Sequence, residues 1–173
     1  MKRTALMAMP VLIIAMIVSG CVTGCSSGSK APKDWYEETL NYYKNGINTN
    51  WSGYANDRLV SEDIKNTNNN VGYVLIDLDE DGTDELMIGM NDGSGETKFL
   101  DVYIWHSDLG AYQVLSAGNG YYIYLCGNNV LRVDTWYGAE TKKEFMKFKS
   151  ENNAFVIVDE QGIPKTVELT SFI

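Results

Sequence analysis

Two hydrophobic periods divide the chain. Over residues 33–48 (KDWYEETLNYYKNGIN), Trp35, Leu40, Tyr43 and Ile47 fall near helical spacing and Gly46 offers a stop signal, which predicts one amphipathic helix. Residues 56–65 (NDRLVSEDIK) carry a weaker helical or irregular pattern, and 66–70 (NTNNN) read as a loop of residues that bond their own backbone. From Val71 the period becomes two and stays there. Strands are predicted over 71–76, 85–90, 98–105, 111–116, 121–125, 129–135, 142–148, 154–159 and 165–171. In 98–105, Leu100, Val102 and Ile104 share one face, while Asp101, Tyr103 and Trp105 share the other. Turn chemistry separates the strands (HSDLG, AGNG, CGNN, YGAE, SENN, EQG). The expected fold class is α+β: an N-terminal helix packed on an antiparallel β-meander, as a curled sheet or part-barrel, in one domain over 33–173.

The first 32 residues follow neither period. Lys2 and Arg3 precede an apolar run from Ala5 to Val18, interrupted only by Pro10. As a helix it would rise about 21 Å, short of the roughly 30 Å hydrocarbon core, so residues 1–20 read as a signal peptide rather than a membrane span. The run ends in Val18-Ser19-Gly20-Cys21, which resembles the bacterial lipobox, where the peptide is cut before a Cys that is then lipidated. Val22-Thr23-Gly24-Cys25 repeats the pattern. Cys21 is the preferred site because it abuts the apolar run. Acyl chains (palmitate among them) would hold the mature protein at a membrane, on the extracytoplasmic side of a bacterial cell. Residues 21–32 then form a small, polar, flexible tether.

Composition narrows the partners. Hydrophobic residues make up 45% of the chain, enough for a core, and the net charge of -9 argues against a nucleic-acid partner, which Lys/Arg patches would bind. One His and three Cys leave little for a His-rich zinc site, a Ser-His-Asp triad or a disulfide scaffold.

One segment carries recognisable chemistry. In YVLIDLDEDGTDELMIGM (73–90), Asp77, Asp79, Asp81, Gly82, Thr83 and Glu85 occupy positions one, three, five, six, seven and nine of a loop. Six acids lie between Asp77 and Glu85, and such crowding is unfavourable unless a cation or water relieves it. Ca²⁺ takes six to eight oxygens at about 2.3–2.6 Å. Asp77, Asp79 and Asp81 would give side-chain oxygens, Thr83 its carbonyl, and Glu85 a direct or water-mediated contact. The competing reading is a solvated acidic turn without metal. Position twelve is Ile88, so the bidentate Glu of an EF-hand is missing, and LMIGM suits a strand rather than a helix. A calcium-loop hairpin is therefore expected over 71–90.

YVLIDLDEDGTDELMIG resembles the calcium hairpins of the FG-GAP/VCBS class. It is similar also to uncharacterised surface lipoproteins of Firmicutes, in which a DxDxDGxxEL loop between two strands precedes a phrase like LDVYIWHSDLGAYQVL. One copy is present rather than a propeller's array, and Glu80 stands where Gly is common at position four. The resemblance implies calcium and a surface location, and no particular reaction.

The expected function is a lipid-anchored, calcium-binding interaction module without catalysis, the calcium being structural. The alternative is a carbohydrate-binding accessory protein in which Trp136 and Tyr137, in the Trp-Tyr-Gly turn, form a ligand platform. A hydrolase with unassigned carboxylates comes third. The partners expected are the membrane, through the anchor, and a protein or glycan.

Overall fold

The computed structural model describes residues 32–54, 60–65, 70–91, 93–118 and 120–173. The expected signal peptide, Cys21 and nearly all of the tether lie outside the described residues, as do 55–59 of the weaker helical segment.

The helical region is broken where one helix was expected. α1 (Pro32–Trp35) and α2 (Glu37–Asn48) are separated by a turn at Tyr36, whose ring is fully buried and whose hydroxyl donates to the Asp84 carbonyl at 3.0 Å. Gly46 does not end the helix. It sits inside α2 because the Trp51 ring lies where a Cβ would be, at 2.4–2.6 Å. α2 stops at Asn48, where the Thr49 N–H and hydroxyl both return to the Asn45 and Gly46 carbonyls. α3 (Glu62–Lys65) is the described helical part of 56–65.

Among the described residues nine strands follow: β1 (Val71–Ile76), β2 (Glu85–Asn91), β3 (Thr97–His106), β4 (Gly110–Ser116), β5 (Tyr121–Leu125), β6 (Leu131–Tyr137), β7 (Glu140–Lys149), β8 (Ala154–Ile157) and β9 (Thr170–Ser171). They form one antiparallel sheet in the order β8-β7-β6-β5-β3-β2-β1-β9, with β4 branching off β3. The sheet is open, with β8 and β9 at its ends. Three strands depart from expectation. Residues 158 and 159 do not join β8, which ends at Ile157. Residues 129 and 130 do not join β6, because Gly127–Asn129 turn tightly with Asn128 and Asn129 both at φ 55°. Residues 165–169 are not strand: this segment is held instead by the Lys165 N–H on the Leu125 carbonyl and the Val167 N–H on Thr97 Oγ1.

β3 is the hinge of the architecture. Its start (Lys98, Phe99) pairs with β5, its remainder (Asp101–His106) pairs with β4, and register shifts interrupt both the β2–β3 and the β3–β4 ladders. Phe99 to Ile104 are buried on both faces. One face packs aliphatic residues into the core, and the helices cover the other. There Tyr43 donates to Asp101 Oδ2 at 2.6 Å and lies 2.9 Å from the Tyr103 hydroxyl, and Trp35 stacks on Trp105 with ring centres 5.5 Å apart. β2 is buried from Glu85 through Met90, as a central strand flanked by β1 and β3 should be. Placing β2 there puts Glu85, its first residue, at the rim of the core and at the end of the acidic loop.

Candidate metal centre

The loop between β1 and β2 spans Asp77 to Asp84 and is shaped by its own backbone. Asp77 accepts the Asp81 N–H at 3.1 Å on one oxygen and the Gly82 N–H at 2.9 Å on the other. Gly82 adopts φ 89°, a left-handed conformation that a side chain disfavours. Glu80 adopts φ 64°, which gives a physical reason for a Gly at that position and makes Glu80 a strained choice.

Three carboxylates converge. One oxygen each from Asp77, Asp79 and Glu85 lies within 4.8 Å of the other two, a spread that a single cation with oxygen ligands at about 2.3–2.6 Å can bridge. Among the described residues this is the one group of three such side chains that meets. Each is held from a different direction. Glu85, only 3% exposed, accepts the Leu78 N–H at 2.7 Å. Asp79 Oδ2 accepts the Ser150 N–H at 2.8 Å from the turn between β7 and β8. Asp79 Oδ1 is buried without a hydrogen-bond partner. An orphaned buried carboxylate oxygen is expensive in a protein alone, and a cation would satisfy it.

Electrostatics agree. Burial first, and then the charges of Asp79, Asp81 and Asp77, push the Glu85 carboxyl up to about 8, against the opposing Leu78 N–H bond. Negative charge is therefore in excess here, and a divalent cation would relieve it. The residues present fit such an ion. They also fit the hard-oxygen preference of Ca²⁺ better than the nitrogen and sulfur preference of zinc.

The other residues expected at the loop stand further out. Asp81 is exposed, lies outside the converging group and accepts the Thr83 N–H at 2.7 Å. Both Asp81 and Thr83 line a neighbouring pocket of about 110 Å³, whose other walls include Trp35, Trp105, Ser150 and Asn153. Trp136 and Tyr137, expected in a turn, are instead the last two residues of β6, paired with Thr141 and Glu140 of β7. They are 61% and 63% exposed, and as successive strand residues they point to opposite faces rather than forming one platform. Cys126 is free and buried. His106, half-buried, accepts the Asp108 N–H at its own turn.

Sequence reasoning missed Ser150, Tyr36 and Asn129 around the loop. Tyr36 bonds the Asp84 carbonyl, and Asn129 Nδ2 donates to the Asp77 carbonyl at 2.9 Å. Ser150 contributes a backbone N–H, which no side-chain pattern announces. Asn129 carried a weak signal as one of two Asn residues after Gly127.

Comparison of the chain with protein-family models, with curated proteins and with solved structures finds no match. What the site does must follow from its own chemistry.

Proposed function

We propose that this protein is a lipid-anchored, extracytoplasmic interaction module whose β1–β2 hairpin binds one Ca²⁺ ion in a structural role. The observation that carries the metal is the convergence of Asp77, Asp79 and Glu85 around a buried Asp79 oxygen that lacks a hydrogen-bond partner. Asp81 and the Thr83 carbonyl complete the shell directly or through water. The anchor rests on the Val-Ser-Gly-Cys sequence ending at Cys21. The sheet is curled rather than flat in this reading, since register shifts at Ile88/Gly89 and Val102/Tyr103 bend the central strands.

Calorimetric titration of the full chain in detergent with CaCl₂ tests the metal. One site in the range of about 10⁻⁴–10⁻³ M is expected, typical of extracellular calcium modules. No heat, and identical melting curves in millimolar calcium and in EDTA, would remove it. The anchor is tested separately. Cys21→Ser should leave an unprocessed precursor or release the protein from membranes, and unchanged size and retention would refute lipidation at that residue.

A second reading, glycan binding through an aromatic at the end of β6, is supported by the exposure of Trp136, with Tyr137 on the opposite face of the same strand. A glycan and protein array probed with and without calcium separates the two readings.

A further inference from the structure

After β8 the chain crosses from one end of the sheet to the other. The Val158 N–H still donates to the Phe145 carbonyl of β7 at 2.9 Å. Glu160 then pairs with Lys147 at 2.7 Å and accepts from Asn128 at 2.8 Å. Beyond it, Pro164 bridges to Cys126 after β5, Val167 reaches Thr97 at the start of β3, and β9 pairs with β1. Along this run Val167 and Leu169 are half-buried against the core, while Thr166, Glu168 and Thr170 are exposed. Phe172 is 6% exposed, stacked on Tyr43 at 6.0 Å between ring centres and 5.3 Å from Tyr73. Alternating apolar residues with an aromatic anchor are how an extended peptide seats along a sheet.

Two glycines admit the segment. A Cβ on Gly72, in the floor, would stand 2.6 Å from the Thr170 carbonyl oxygen. A Cβ on Gly162, in the segment itself, would stand 2.5 Å from that of Cys126. The fit is close, yet the ladder is thin. The Lys165 N–H donates to the Leu125 carbonyl at 2.9 Å. Val167 is held by side chains, its N–H on Thr97 Oγ1 at 2.8 Å and its carbonyl on Asn91 Nδ2 at 3.4 Å. In 164–173 only Thr170 and Ser171 pair as strand. Ile163, in the connection from β8, is 86% exposed. A segment with so few ladder bonds opens at lower free energy than the strands beneath it.

We infer that residues 164–173 form a detachable strap, and that the groove beneath is an interaction surface for the strap of a second copy of this chain. The groove makes the same contacts with either strap. The connection 159–163 and the local concentration of copies therefore decide which one is seated. Exchange in both directions gives a reciprocal dimer. The groove uses no residue of the acidic loop, so it stands or falls apart from the calcium reading.

The test uses the full chain in detergent and a fluorescent peptide with the sequence of residues 164–173, read by anisotropy. Lys165→Pro and Phe172→Ala in the chain loosen its own strap, and each should bind the peptide at least tenfold more tightly than wild type. The same Phe172→Ala change in the peptide should weaken binding at least tenfold. Gly72→Ala, added to either strap variant, should abolish it. Wild-type hydrogen exchange should show the Lys165 and Val167 amides opening while Leu86 and Val102 stay protected. Light scattering should detect a dimer of the wild-type chain at high concentration, and none of Phe172→Ala. The inference is overturned if neither strap variant binds the peptide, if both lose the sheet by circular dichroism, or if Gly72→Ala changes nothing. Equal protection of strap and core amides also overturns it, and peptide binding without any dimer overturns the second copy as partner.

Discussion

The backbone N–H of Ser150 donates to Asp79 Oδ2 at 2.8 Å, joining residues 71 apart in the chain. The bond fastens the β1–β2 loop to the β7–β8 turn, although β1 and β7 are not neighbours in the sheet. It also fixes the Asp79 side chain so that Oδ1 stays buried without a partner. Tyr36, at the break between α1 and α2, holds the other end of the same loop through the Asp84 carbonyl. Helix, hairpin and turn therefore meet at one acidic junction. A cation bound there would add stability to all three by mass action, about 1.4 kcal/mol at free calcium tenfold above Kd.

Asp79→Asn and Asp79→Ala should separate the two roles of this side chain. The amide oxygen of Asn can still accept the Ser150 N–H, but the charge is gone. Calcium affinity should fall tenfold or more in both variants. In EDTA the Asn variant should melt at or above the wild-type temperature, since like-charge repulsion is relieved. The Ala variant should melt lower, by about 1 kcal/mol of lost hydrogen bond. Melting curves of the three proteins in millimolar calcium and in EDTA make the measurement. Equal calcium stabilisation of all three would place the ion elsewhere.

Glu85 sets a pH dependence whose sign follows from its environment. Its carboxyl, ordinarily near 4.5, is pushed up to about 8, by burial first. Between those values the folded protein holds a proton that the unfolded chain has lost, so this contribution to stability falls as pH rises through that window. In EDTA, the urea midpoint should therefore drop from pH 5 to pH 8.5 more steeply for wild type than for Glu85→Gln. Saturating calcium binds the ionised carboxylate and should flatten the wild-type slope. Calcium affinity itself should rise with pH over the same window. Parallel slopes for wild type and the Gln variant in EDTA would rule out this assignment.

Strand-forming runs and turn chemistry make most of the sheet legible in the sequence. Strands 71–76 and 121–125 lie where expected because short β-branched and aromatic runs (Tyr73, Val74 and Ile76; Tyr121 to Tyr124) are bounded by Gly- and Asn-rich turns. Residues 165–169 alternate cleanly, with Val167 and Leu169 on one face, yet they are not strand. A segment at the end of a sheet takes whatever partners remain, here the Leu125 carbonyl and the Thr97 hydroxyl. The break at Tyr36 was illegible for a similar reason: it follows from the tertiary bond to Asp84, while the local sequence has neither Gly nor Pro there. In the acidic loop, spacing identified the segment and five candidate residues. It could not rank Asp79 above Asp81, because that difference depends on Ser150, far away in sequence.

Asp101 should behave as a structural pin independent of the metal. It is fully buried, and burial raises its carboxyl above the ordinary value even though donors from Tyr43, Ser116, Ser61 and Gln113 pull the other way. Tyr43→Phe removes the 2.6 Å bond that joins α2 to β3 and should destabilise the fold by about 1–3 kcal/mol. Asp101→Asn should be destabilising too, and the double variant should cost less than the sum of the singles, since the two residues act on each other. Chemical denaturation of the four proteins measures the coupling. Additive effects would mean that the pair does not act as a unit. Calcium titrations of all four should superimpose.

Glu80→Gly is the substitution that should improve this loop. Glu80 is exposed and held at φ 64°, where an L side chain costs roughly 1–2 kcal/mol, while Gly adopts the same backbone freely. Part of the gain is returned as the greater entropy of Gly in the unfolded chain, about 0.5–1 kcal/mol. Removing the carboxylate also lessens repulsion among the loop's acids. The net effect expected in EDTA is a gain of about 1 kcal/mol, or a few degrees in Tm. Because Glu80 lies outside the converging triad, calcium affinity should change less than threefold, in contrast to the loss predicted for Asp79→Asn. Thermal melts in EDTA and a calcium titration of Glu80→Gly decide the matter. A destabilised variant would mean that the Glu80 side chain supports the loop, and a tenfold loss of affinity would make it a ligand.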